Sequence, residues 1–147
     1  MRFFEDFSVG DSIELGSYQV TQSSIVEFAR AYDPQPFHVD AEQARSSIYG
    51  GLIASGWHTA GIYMRMLVDT LLRETASLGS PGIDELRWYL PVRPGDTLRG
   101  RITVLEARVS QSKPDRGLLR TRGELFNQDE QLVMSLVAVN FFSRRRT

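Results

Sequence analysis

The sequence predicts an α+β domain: one long, largely buried helix with an antiparallel sheet bent around it. Three observations predict this. Apolar residues recur at three- and four-residue spacing over about residues 55–77. Every long apolar segment after that stretch reads as strand. Helical segments precede the run of strands and do not alternate with it, which argues against a parallel α/β sheet. No repeat, low-complexity tract or linker composition interrupts the 147 residues, so one domain over 1–147 is expected.

The elements follow in order. Residues 12–20 mix Ile13, Leu15, Tyr18 and Val20 with polar positions, a short strand pattern. Thr21 is suited to N-cap a helix carrying Ile25, Phe28 and Ala29 on one face. That helix should stop before Pro34, because a proline disfavours helical geometry at the residue preceding it. Residues 32–39 are expected as an ordered loop stiffened by Pro34 and Pro36, and Asp40 with Gln43 resembles a capping box for a short helix over 41–45.

Gly50 and Gly51 break the chain before the long helix, whose apolar positions include Ala60, Tyr63, Met64, Leu67, Leu71 and Leu72. Gly79-Ser80-Pro81-Gly82 should end it. Four strands are then expected at 83–92, 98–109, 118–126 and 132–142, with Pro94-Gly95 forming a type II turn between the first two.

Composition removes several classes of function. A net charge of -1 is unlike a strongly basic nucleic-acid binder. With no cysteine there is no disulfide, thiolate nucleophile or cysteine-ligated metal. No apolar run approaches the roughly 20 residues of a membrane helix, and the acidic start MRFFEDFSVGD is unlike a signal peptide. A cytoplasmic protein is the expectation. Arg144, Arg145 and Arg146 are expected as a solvated basic tail.

The strongest local feature is AYDPQPFHVD, residues 31–40, where Asp33 and His38 lie five residues apart on a loop with two prolines between them. Such a loop loses little entropy on ordering and can hold two polar side chains in fixed relation. A carboxylate beside an imidazole can orient water and move a proton near neutral pH. The second feature is GGLIASGWHT, residues 50–59, opening the long helix. The first N–H groups of a helix lack internal partners, so this start can donate to an oxygen that gains negative charge.

DPQPFH followed by the ASGWH helix start resembles the MaoC-like hydratases and dehydratases, the (R)-specific enoyl-CoA hydratase group of hot-dog-fold proteins. The likeness extends to YLPVRPGDTL, residues 89–98, and covers nearly the whole chain. It implies a hot-dog fold, with a five-stranded antiparallel sheet around the central helix. It implies Asp33 and His38 as the catalytic pair, and Ser55-Gly56 at the oxyanion and substrate-binding positions with the Gly56 N–H as donor. The substrate implied is an acyl-CoA or acyl-carrier-protein thioester. The reaction implied is syn addition of water to a 2-enoyl thioester, or its reverse, without cofactor or metal. Asp33 would act as base on the water and His38 as proton donor. A homodimer is expected, with a dimer of dimers as an extension. Gln35 departs from the family's usual Asn, Ser55 from its usual His, and Met64 falls where some members have a pocket serine, which points to a differently shaped or less polar acyl pocket.

Other roles for these residues are ordinary ones. Asp33 can brace its loop, and His38 can be a satisfied half-buried histidine. Asp40 is expected as a helix cap and His58 as a packing or backbone-bonding residue. Tyr32, Phe37 and Trp57 can line an acyl pocket, although aromatics at such places are more often core, and Arg87, Arg93, Arg99 and Arg101 fit coenzyme A phosphates or solvated strand faces equally. Two rival activities stand beside hydration: a hot-dog acyl-thioester hydrolase, and a non-catalytic acyl-binding or partner subunit.

Overall fold

A 3-10 turn at Phe4–Asp6 leads into strand β1, Ser12–Gln19, in the computed structural model, which describes residues 1–147. Helix α1 follows at Gln22–Tyr32, started by Thr21, whose Oγ1 accepts from the Ser24 N–H at 3.2 Å. Ile25 and Ala29 are its buried residues. The helix ends where Pro34 requires, with Asp33 as C-cap.

The stretch expected as loop contains one more helical turn, α2 at Pro36–Val39. Pro36 occupies the first helical position, where its missing N–H costs nothing. Asp40 then caps α3, Ala41–Arg45, accepting from the N–H groups of Glu42 and Gln43. The Gln43 side chain bonds the Asp40 carboxylate and not its backbone, so only half of the expected capping box forms.

Central helix α4 runs Gly56–Thr70, with Ser55 as N-cap. Its end comes earlier than the apolar periodicity suggests. A 3-10 turn at Leu72–Glu74 follows, and the chain is drawn into pairing with its own N-terminus: Arg2 N–H donates to Glu74 O at 2.7 Å and Ala76 N–H to Arg2 O at 2.8 Å.

Strand β2 then spans Ser77–Trp88 and takes in the Gly79–Gly82 segment expected to be a loop. It lies at the sheet edge, pairs only with the last strand, and shifts register at three places. Proline is tolerated in an edge strand because its missing N–H faces outward, and glycines accommodate the bulges. Ser80 Oγ donates to Val139 O, so a side chain fills in where the ladder is broken.

β2 stops at Trp88 and not at Val92. Residues 89–96 form the connection to β3, Thr97–Val109, and Gly95 takes the expected left-handed turn conformation at φ +89°. β4 covers Arg116–Phe126 and β5 Leu132–Ser143.

The five strands lie in the order β1-β3-β4-β5-β2, all antiparallel. Residues on one face alternate into the core: Leu98, Ile102 and Val104 on β3, Leu119 and Leu125 on β4, Met134 and Leu136 on β5. Against this face lie Tyr63 and Met66 of α4. Gly123 and Gly100 leave room for them, since a β-carbon at Gly123 would collide with the Tyr63 ring and one at Gly100 would meet Met66 Cε at 3.0 Å. The long helix is thus seated in the hollow of a curved sheet. Two of the three C-terminal arginines are tied down, while Arg146 is exposed as expected. Arg144 pairs with Glu5 at 3.2 Å and Arg145 with Asp6 at 2.7 Å, on the 3-10 turn at Phe4–Asp6.

Candidate active site

Asp33 and His38 meet. Asp33 Oδ2 lies 3.3 Å from His38 Nε2, with the His38 side chain 6% exposed and that of Asp33 18%. Their positions follow from local rules. Pro34 ends α1 at Asp33, whose N–H still completes the helix ladder on Ala29 O at 2.8 Å. Pro36 starts a single turn that swings His38 back over the carboxylate.

The imidazole is held from its far side. His38 Nδ1 lies 2.7 Å from Ile53 O, and a carbonyl can only accept, so Nδ1 carries the hydrogen. In the neutral ring Nε2 is therefore a lone pair facing Asp33. Two acceptors do not bond each other; at this distance they need a shared proton, or a water that donates to both from the cleft side. Ile53 itself is fixed, donating its N–H to Phe37 O at 3.1 Å, while Ala54 N–H donates to Val92 O at 2.8 Å. The extended segment before α4 is thereby strapped on both sides.

Asp33 is bonded through both oxygens. Gln35 Nε2 donates to Oδ1 at 2.7 Å, and Ser55 Oγ donates to Oδ2 at 2.7 Å. Burial alone would raise the Asp33 carboxyl, but the Gln35 amide, the Ser55 hydroxyl and the neighbouring His38 outweigh it and hold the group below the usual carboxylate value.

The pair opens onto a cleft of about 490 Å³. Its walls include Phe37, Tyr49, Trp57, Trp88, Tyr89 and Val92. Gly56, also in the wall, is the first residue of α4, and its N–H is outside the helix ladder. Trp88 packs directly over it: a β-carbon at residue 56 would sit 2.5 Å from Trp88 Cε2. Trp57 meets the same indole edge-on, with ring centroids 5.2 Å apart. The arrangement can hold a water on the cleft side against both an acid and a base, beside an N–H donor, with an aromatic wall for an apolar group.

Of the residues singled out in the sequence, Asp33, His38 and Gly56 line this cleft, as do Phe37 and Trp57. Ser55 is fully buried, and its hydroxyl serves Asp33 and the Trp57 N–H and does not face the cleft. Tyr32 is exposed and Met64 half-exposed, both away from the wall. His58 is buried against Phe28, stacked at 5.0 Å, and burial lowers its pKa. Arg99 and Arg101 pair with Glu14, Glu130 and Glu124, and Arg93 donates to Tyr49 O. Sequence reasoning missed Gln35 as a ligand of the carboxylate, and it missed Tyr49, Trp88 and Tyr89 in the wall. Only Gln35 carried a local signal, two residues beyond Asp33 on the same proline-rich turn.

Fold and site together define a hot-dog protein of the hydratase and dehydratase class. The chain belongs to the MaoC-like domain family, whose model matches residues 6–120. It superposes on a MaoC-like dehydratase structure from Rhodospirillum rubrum with a TM-score of 0.92 and 42% identity, covering 100% of both chains. It is 28% identical to the uncharacterized protein YdeM of Bacillus subtilis, over 86% of this chain and 88% of that one. An (R)-specific enoyl-CoA hydratase of Rhodospirillum rubrum is 30% identical, over 71% of this chain and 70% of the relative.

Proposed function

We propose that this protein adds water to a 2-enoyl thioester, or removes it from a 3-hydroxyacyl thioester, using Asp33 and His38 as a coupled acid and base. The observation that carries this reading is the 3.3 Å approach of Asp33 Oδ2 to His38 Nε2 in a cleft that also holds the start of α4. The relative named as an enoyl-CoA hydratase supports the reaction class.

In the hydration direction a water on the cleft side bonds both Oδ2 and Nε2, which at 3.3 Å stand too close for it to lie between them. Asp33 takes its proton as the oxygen adds to the β-carbon. His38, protonated at Nε2, gives a proton to the α-carbon on the same face. The proton now on Asp33 returns to Nε2 across the short gap and resets the pair. Charge that develops on the thioester oxygen is met by the Gly56 N–H, one such donor being worth roughly 3 kcal/mol in the transition state. The carrier is coenzyme A or an acyl carrier protein.

A second copy of the chain completes the site in this reading. β2 is a free edge exposing Leu78, Ile83 and Trp88, and Tyr89 and Leu90 beyond it are exposed and line the cleft. An apolar strand edge of this kind invites pairing, and a partner there would close the cleft.

The test is a panel of 2-enoyl thioesters followed by loss of the conjugated absorbance, with free thiol measured in parallel and Asp33→Asn as control. Hydration without thiol release is expected. Thiol release with the absorbance retained would identify a hydrolase, and a chain inert across the panel would identify an acyl-binding subunit.

A further inference from the structure

Ser55 has one hydroxyl hydrogen and two commitments. Its Oγ accepts from the Trp57 N–H at 3.3 Å, which caps α4, and its hydrogen goes to Asp33 Oδ2 at 2.7 Å. Ser55 is fully buried, so water does not reach its hydroxyl. On the other oxygen stands Gln35. Its amide nitrogen must face Oδ1, because the reverse orientation would set two acceptors 2.7 Å apart. Its backbone is held as well, Gln35 N–H donating to Asp33 O at 2.8 Å. The one titratable side chain in contact with the carboxylate is His38 of α2; the donors from α4's cap and from Asp33's own turn are neutral.

We propose that Ser55 and Gln35 are positioning residues: together they clamp Asp33 through both oxygens, keep the exchanged proton of the Asp33–His38 pair off the carboxylate, and, through Ser55, tie that carboxylate to the start of α4. Hydrogen bonds to an anionic acceptor are the strong ones, and each is lost or reversed when the acceptor is protonated. A carboxylate gripped in this way gives up a captured proton readily, which in the proposed cycle drives the return step to His38. The inference rests on the acid–base reading of the pair for its catalytic meaning, but the clamp itself is measurable without substrate.

The experiment is a pH titration of the Asp33 carboxyl by NMR on protein carrying carboxyl-13C aspartate, assigned with Asp33→Asn. Ser55→Ala removes one donor. Gln35→Met removes the other without adding a charge, at an exposed position where folding is not at risk. Each should move the Asp33 titration to higher pH, tightening proton binding at least about threefold. Ser55→Thr, which keeps the hydroxyl, should restore the wild-type curve. Where Ser55→Ala fails to fold, Gln35→Met decides alone. Asp33 titrating unchanged in the variants overturns the clamp. Enoyl hydration assayed on the same samples separates the two readings. Active wild type with an unmoved titration removes the clamp and leaves the hydratase. Inactive wild type with a moved titration does the reverse. In an active enzyme the acidic limb of kcat should shift upward with the titration while KM stays within about twofold.

Discussion

The Trp88 indole occupies the space that a side chain on residue 56 would need, with Cε2 only 2.5 Å from where a β-carbon would fall. Glycine at the start of α4 is therefore required by a neighbour on β2 and not by backbone conformation. Gly56→Ala should cost roughly 1–3 kcal/mol of stability through overpacking. It should also lower kcat by displacing the proposed N–H donor. Trp88→Leu in the same chain should recover part of the stability. Additive losses in a double-mutant cycle by denaturant unfolding would show that the two residues do not compete for space.

Asp33→Asn and His38→Gln should each lower kcat for enoyl hydration by about 10²–10⁴-fold while leaving the melting transition within a few degrees of wild type. Steady-state assay with thermal unfolding on the same preparations checks both halves. A variant retaining near-normal turnover removes its residue from the acid–base pair.

His58 gives a pH dependence of defined sign. It is buried against Phe28, its Nδ1 has no hydrogen-bond partner, and burial holds its pKa down, so the folded state favours the neutral ring. The unfolded chain then binds more protons below the ordinary histidine value of about 6.5, and stability falls as pH drops from there toward the folded value. The slope from this one group is at most about 1.4 kcal/mol per pH unit. His58→Phe should flatten that part of the profile in urea midpoints between pH 7 and 5. Asp33 acts in a separate, lower window: its depressed carboxyl adds stability above about pH 3.9, lost as pH falls through the folded value.

The β2 edge predicts association. Sedimentation at micromolar concentration should give a dimer, and Ile83→Lys, a charge on the exposed strand, should shift it toward monomer. Wild-type protein that sediments as a monomer would contradict pairing through this edge.

What the sequence made legible was local chemistry. The Thr21 and Asp40 caps, the Gly95 turn and the halt before Pro34 each depend on residues a few positions apart, and each is present. Gly79–Gly82 was illegible because glycine and proline signal loops, whereas an edge strand needs backbone hydrogen bonds on one side only. The end of α4 was hidden because Leu71 and Leu72 continue the helical spacing while the chain is already turning toward Arg2. In the site, the approach of Asp33 to His38 was readable from their shared turn. The Ser55 bond to Asp33 spans 22 residues, and Trp88 reaches Gly56 from another element, so neither left a trace in local pattern.

His38 takes its orientation from main chain: the Ile53 carbonyl binds its Nδ1, and the Ile53 amide is anchored on Phe37. Ile53 is itself buried, so a conservative apolar exchange such as Ile53→Val should leave the same imidazole nitrogen facing Asp33. Proline would break the strap, since it lacks the hydrogen that Phe37 accepts. The tautomer is written into the path of the backbone, where ordinary side-chain replacement does not reach it.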